Sequence, residues 1–143
     1  MAQQGRFPSE KLAKYPHMLM DDIPVWERYL DAHASEWQSF DYDVRVGRGD
    51  DPGDAVLPPF REMAISLTKL RIDAVGYRAS EVCVFEVKLR VSISAFGQIV
   101  GYRDKYKETF PTADLVTACV VAESASNDVS ALLLQYGVRL ELV

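Results

Sequence analysis

Two acids and a lysine pose the chemical question in this sequence. Asp73 lies in the run RIDAVGY (71–77), and Glu86 and Lys88 lie in VCVFEVKL (82–89), with only Arg78-Ala79-Ser80-Glu81 between the runs. Both read as strands, and so short a connection makes them a β-hairpin. Strand side chains alternate, so Glu86 and Lys88 share a face. With the turn centred between Ala79 and Ser80, the antiparallel register sets Asp73 opposite Glu86. Opposed side chains have Cβ atoms roughly 5 Å apart, where like charges destabilise a sheet. An isolated Glu-x-Lys is a commonplace ion pair of neighbours; the opposed Asp73 is what asks for compensation. A divalent ion supplies it, because hard Mg²⁺ takes one or two carboxylates, phosphate oxygen and water. With Lys88 alongside, the group suits metal-assisted phosphodiester hydrolysis. The metal lowers the pKa of a bound water and polarises the phosphoryl group, and the lysine orients the nucleophile or offsets developing charge. In the metal-free alternative, Lys88 neutralises one acid and a proton the other.

The elements that must hold these residues are legible around them. Asp21-Asp22-Ile23-Pro24 combines an acidic cap with an early proline and announces a helix. Val25, Trp26, Tyr29, Leu30, His33 and Trp37 form its apolar face, and it ends near Ser39. Phe40 to Gly47 alternates like a half-buried strand, and 47–60, with Arg48-Gly49-Asp50-Asp51-Pro52-Gly53-Asp54 and Pro58-Pro59, reads as a long loop. Arg61 to Leu70 is ambiguous between helix and strand. After the hairpin, Ser92 to Phe110 reads as a second helix stopped by Pro111, and Leu115 to Ala122 as a fully buried strand. Asn127-Asp128 caps a third helix running to Tyr136 and ended by Gly137, and Val138 to Val143 is a last strand. The predicted class is α/β, a mixed β-sheet flanked by helices in the order α-β-β-β-α-β-α-β. The chain reads as a single domain over 1–143, with 1–20 as an N-terminal extension.

Asp73, followed after a short hairpin by Glu86-Val87-Lys88, resembles the signature of the PD-(D/E)XK nuclease superfamily, the restriction-endonuclease-like fold. On the next helix, Gln98-Ile99-Val100-Gly101-Tyr102 resembles the Gln-x-x-x-Tyr motif of the RecB-type and related exonuclease branches. One helical turn puts Gln98 and Tyr102 on one face. The resemblance covers about Val25 to Ala122 and departs from the pattern in that Arg71-Ile72, not a proline, precedes the first acid. It implies a Mg²⁺-dependent deoxyribonuclease, with Mn²⁺ as a substitute. Asp73 and Glu86 would bind the metal, the Val87 carbonyl would add a ligand, and an acid on the first helix would complete the site. Glu27 is the best-placed such acid, ahead of Glu36 and Asp31. Lys88 would assist the nucleophile, with Gln98 positioning Lys88, water or the nucleic-acid backbone. The rival reading is a catalytically inactive nuclease-fold module for nucleic-acid binding or assembly. A third is a purely structural salt-bridge cluster.

Composition narrows the remaining classes. The 143 residues carry 16 Lys+Arg against 21 Asp+Glu, a formal charge of −5, which argues against holding nucleic acid by a large positive field. A local basic track remains along Lys88, Arg90, Arg103, Lys105 and Lys107, and Tyr102, Arg103 and Lys105 are the expected contacts to DNA. His17 and His33 have no metal-binding spacing, and Cys83 and Cys119 sit in apolar segments as small buried hydrophobes. No phosphate-binding glycine fingerprint is present, so no nucleotide cofactor is expected, and no nucleophile elbow points to a serine hydrolase. The first residues, MAQQGRFP, have no apolar stretch and no run is long enough to span a bilayer, so a cytoplasmic protein without a membrane partner is expected. A homodimer would let so small a domain reach both strands of a duplex.

Overall fold

Val, Ile, Phe and Tyr cluster in the runs that become strands, as a pleated surface buried on both faces requires. The computed structural model describes residues 4–143, and residues 1–3 of the expected extension lie outside them. The strands are β1 (Phe7–Pro8), β2 (Ser39–Val46), β3 (Leu70–Arg78), β4 (Glu81–Val91), β5 (Leu115–Ala125) and β6 (Arg139–Leu142). The helices are α1 (Ile23–His33), α2 (Pro58–Thr68), α3 (Ile93–Thr109) and α4 (Asn127–Gln135). One sheet carries the strands in chain order: β1 to β4 pair antiparallel, and β4, β5 and β6 pair parallel. The parallel pairs need crossovers, which α3 and α4 provide. The architecture is therefore the expected α/β mixed sheet flanked by helices, with β1 and α2 added.

Helix α1 covers one face. Val25, Trp26, Tyr29 and Leu30 pack there with Phe40, Tyr42, Cys83, Phe85, Val87, Cys119 and Val121. Helices α3 and α4 cover the other, where Ala95, Ile99, Tyr102, Tyr106, Val129 and Leu133 meet Val82, Val84, Val116, Ala118 and Val120. On the α1 face, Gly76 leaves room for aromatic rings: a Cβ there would stand 2.9 Å from both Phe40 and Trp37. Tyr15 and Met18, from the N-terminal segment, are also buried on this face.

Several boundaries differ from those expected. Helix α1 stops at His33, and a 3₁₀ turn over Ala34–Glu36 turns the chain so that Trp37 is buried from an extended backbone. The cap of α4 is Ser126, whose hydroxyl accepts from Val129 N at 3.3 Å, one residue before the expected Asn127-Asp128 pair. The long loop ends early, because Pro58-Pro59 form the first turn of α2, where a proline's missing N–H costs nothing. Arg61 to Leu70 thus resolves into the rest of α2 and the start of β3. No residue of α2 is buried, and Leu57, Phe60, Met63 and Leu67 are all exposed. Arg61 ties the helix to Asp51 and Asp54, and the Thr68 hydroxyl accepts from Asp50 N at 2.6 Å.

Strands β2 and β3 do not keep one side chain parity along their length. Phe40, Tyr42 and Ala74 belong to the α1-side core, whereas Val46 and Ile72 belong to the α3-side core, with Val44 packed against it. Strict alternation would keep all the even-numbered positions on one face. The exchange of faces occurs at Asp43, whose φ of 54° is left-handed.

Candidate active site

The hairpin delivers the acids. Its register is the one the short turn demands, with Arg78↔Glu81 through Ala74↔Phe85 paired. Pairing stops there, one rung before Asp73 and Glu86. The Asp73–Glu86 pair expected in a continuous ladder is therefore not formed. Instead Asp73 Oδ2 accepts from the backbone N–H of Val87 at 2.9 Å. Where β3 and β4 part, a cleft of about 330 Å³ opens, lined by Asp22, Asp73, Glu86, Lys88, Gln98 and Tyr102, with His17, Leu19, Lys69, Leu70 and Arg71 around them.

Alternation along β4 sends Cys83, Phe85 and Val87 into the α1-side core and leaves Glu86 and Lys88 on the face covered by α3. Glu86 is buried, at 3% exposure. Lys88 Nζ lies 3.2 Å from Glu86 Oε1, while Glu86 Oε2 is buried with no hydrogen-bond partner. Burial first, then the neighbouring Asp73 charge, pushes the Glu86 carboxyl well above the usual range. Asp73 is also raised, by burial most of all, with the Val87 N–H and Lys88 pulling the other way. Burial would depress the Lys88 ammonium, but Glu86, Asp73 and Asp22 together hold it above the usual lysine value. The Tyr102 phenol is pushed up to about 12 by burial and by Glu86 and Asp73.

The third acid is Asp22, which the sequence marks only as a helix cap. It stands at the N-cap position of α1, yet its side chain makes no capping hydrogen bond. It is 8% exposed and lines the cleft, where burial raises its carboxyl and Lys88 lowers it. An acid placed immediately before a proline-started helix satisfies a cap reading, so the sequence carries no separate signal for its place in the cleft. Glu27, the expected first-helix acid, lies outside the cleft and accepts from the Tyr15 hydroxyl at 3.3 Å. One helical turn along α1 separates it from the N-terminus that reaches the cleft. Glu36 pairs with His33, and Asp31 with Lys11 at 2.8 Å.

The expected DNA-contacting cations are not gathered at the cleft. Arg103 donates to the backbone carbonyls of Tyr136, at 3.0 Å, and Gly137, at 3.5 Å, and so closes the end of α4. Lys105 pairs with Glu108 at 3.0 Å, farther along α3. The cations that do line the cleft are Lys69, Arg71 and Lys88. A larger hollow of about 420 Å³ elsewhere includes Asp41 and Asp43, but those acids are already paired with Arg6 and Arg71.

The donors around the cleft are hard oxygens, the type Mg²⁺ or Mn²⁺ prefers, and Glu86 Oε2 is buried without a partner. Among the described residues, no three His, Cys, Asp or Glu side chains already stand in a metal-holding group. Among them also, no helix is long and apolar enough to cross a membrane.

No protein-family model and no curated protein matches the chain. Among solved structures, it is similar to a repair endonuclease from Pyrococcus abyssi, at 17% identity and a TM-score of 0.53, over 92% of this chain and 49% of that one. It is also similar to EndoMS in a complex with double-stranded DNA, at 14% identity and a TM-score of 0.51, over 93% of this chain and 49% of that one. The chain thus spans about half the length of either structure, and the likeness identifies its fold as one that these endonucleases contain.

Proposed function

We propose that this chain carries the centre of a metal-dependent DNA nuclease of the PD-(D/E)XK type. The observation that carries the reading is the convergence of Asp22, Asp73, Glu86 and Lys88 on one cleft, with a buried Glu86 oxygen left without a partner. The similar endonucleases, one of them in complex with double-stranded DNA, support the substrate class. Asp73, Glu86 and Asp22 would hold Mg²⁺ or Mn²⁺, with the Val87 carbonyl as a further donor. A bound ion of this kind lowers the pKa of its water and polarises the scissile phosphoryl group. Lys88, kept charged by three acids, orients the attacking water and offsets negative charge as it accumulates on the phosphate. Gln98, exposed on α3, offers an amide to the water or the phosphodiester backbone, and Tyr102 supports that wall of the cleft. Lys69 and Arg71 replace Arg103 and Lys105 as the nearest phosphate contacts.

The inactive binding module is favoured by one observation: Lys88 and the Val87 N–H already occupy one oxygen each of Glu86 and Asp73. A cleavage panel decides between the two readings. Purified protein with Mg²⁺ or Mn²⁺ is expected to cut at least one of linear, circular, single-stranded or branched DNA, and chelation is expected to stop it. Binding without cutting on every substrate overturns the nuclease reading.

Asp22→Asn is expected to weaken Mn²⁺ binding by about tenfold or more, the scale seen when a metal site loses a supporting group. Glu27→Gln is expected to leave it unchanged, since Glu27 lies outside the cleft. Isothermal titration with Mn²⁺ measures both, and equal effects from the two variants contradict the placement.

A further inference from the structure

We propose that Asp43 is a positioning residue for the cleft: its left-handed backbone and its fork to Arg71 open the sheet beside Asp73 and free the Asp73 carboxylate for the site. The functional part of this inference rests on the nuclease reading; the geometric part does not.

Among the described residues, three that are not glycine have positive φ, namely His17, Asp43 and Ser80, and Asp43 is the one inside a strand. Its position coincides with a missing rung. The β2–β3 pairs run from Ser39↔Tyr77 to Tyr42↔Ala74 and resume at Val44↔Ile72, skipping Asp43 and Asp73. On the other side of β3, pairing with β4 ends at Ala74↔Phe85, again just short of Asp73. Asp73 is therefore released from the ladder on both flanks, and its side chain reaches the Val87 amide.

A continuous ladder would set the Asp43 and Asp73 carboxylates face to face, a destabilising arrangement of like charges. The left-handed turn removes that rung, and Arg71 takes the Asp43 carboxylate through two bonds, Nε to Oδ1 at 2.7 Å and Nη2 to Oδ2 at 2.8 Å. Such a planar fork fixes orientation as well as charge. Aspartate and asparagine tolerate left-handed backbone better than other residues with a side chain. The same turn carries Val44 and Val46 to the α3-side core, so packing on the far side of the break resists its closure. Arg71 itself lines the cleft, which joins the clamp directly to the wall that holds Asp73.

The test uses three variants of the full chain and two readouts. Asp43→Asn keeps the backbone preference and one acceptor for Arg71 but loses the second bond of the fork and its charge, so cleavage, Mn²⁺ affinity and exchange protection of the Val87 amide are expected to fall least of the three. Asp43→Ala removes the fork and disfavours the left-handed backbone. With it, kcat is expected to fall about 100-fold with KM for DNA little changed, and Mn²⁺ affinity about tenfold. Loss of Val87 amide protection in native-state exchange is expected alongside. Asp43→Gly, which keeps the backbone but not the fork, is expected to fall between the two. Unchanged Val87 protection together with unchanged kcat in Asp43→Ala overturns the proposal. Should Asp43→Ala fold too poorly to measure, the Gly and Asn variants decide: lower Val87 protection in Gly supports the clamp, and equal protection overturns it. If wild type neither cleaves nor binds Mn²⁺, the nuclease reading fails alone, and the amide readout still decides the role of Asp43.

Discussion

Under the proposed nuclease function, Glu86→Gln is expected to reduce metal-dependent cleavage by about 10³-fold or more while raising the melting temperature of the protein, because the burial that leaves one carboxylate oxygen without a partner also makes the charge expensive to hold. Glu86 is buried with one oxygen unpartnered, and burial and Asp73 raise its pKa. An unfolded chain gives up this proton near the ordinary glutamate value, whereas the folded chain keeps it to higher pH. The contribution of Glu86 to stability is thus greatest in acid and declines as pH rises through the elevated folded-state value. Glutamine, which does not ionise, removes that decline. Relief of one unsatisfied buried charge is of the order of 1–3 kcal/mol, partly offset by the loss of the Lys88 pair. In a chain of this length the net gain corresponds to a rise of a few degrees, or about 3–6 °C. Melting curves at acid and at mildly alkaline pH check the sign: the variant should gain most at the higher pH. A variant that cuts at the wild-type rate removes Glu86 from the chemistry, and one that melts lower at alkaline pH shows that Lys88 stabilises the ionised form fully.

Trp26→Ala is expected to cost about 3–5 kcal/mol, the range for removing a large buried aromatic side chain. Trp26 is fully buried between α1 and the sheet, with ring centroids 5.2 Å from Tyr29 and Phe85 and 5.3 Å from Phe40, and its indole N–H donates to the Tyr42 hydroxyl at 3.1 Å. Truncation leaves a cavity and an unpaired hydroxyl together. Against a typical total of about 5–15 kcal/mol, the loss is a large fraction. Chemical denaturation should show a lower midpoint with little change in slope. Since Trp26 anchors the helix whose N-terminus bears Asp22, the folded variant should also bind Mn²⁺ less tightly than wild type if the proposed site is correct. A loss under about 1 kcal/mol contradicts the assignment of this residue as the hub of the α1-side core.

How far the sequence could be read depended on whether local rules governed each residue. The hairpin was legible because alternation and a short turn leave one register, and that register is observed over five rungs. What alternation cannot express is where a ladder stops, so it extends the opposed pair of acids one rung beyond the last observed pair, Ala74 and Phe85. The place of Asp22 in the cleft is hidden in the sequence because its neighbours Ile23 and Pro24 fully explain a helix start; only the fold buries it beside Lys88. Arg103 and Lys105 sit on a helix after the candidate strand, as groove cations do, but the partners of Arg103 lie in a segment 33 and 34 residues away. Pro58-Pro59 looked like a breaker because proline both stops and starts helices, and the sequence around it lacked the capping residue that distinguishes the two.

The exchange of faces at Asp43 and Asp73 also bears on how the molecule comes apart. Strand β2 lends Phe40 and Tyr42 to the α1-side core and Val46 to the α3-side core, and β3 gives Ala74 to the first and Ile72, Val75 and Tyr77 to the second. Neither layer of helices can peel away without disturbing strands that the opposite layer needs, so the two halves of the interior are thermodynamically coupled. Heating should accordingly produce one cooperative transition, with calorimetric and van't Hoff enthalpies in agreement, in place of stepwise loss of one layer after the other.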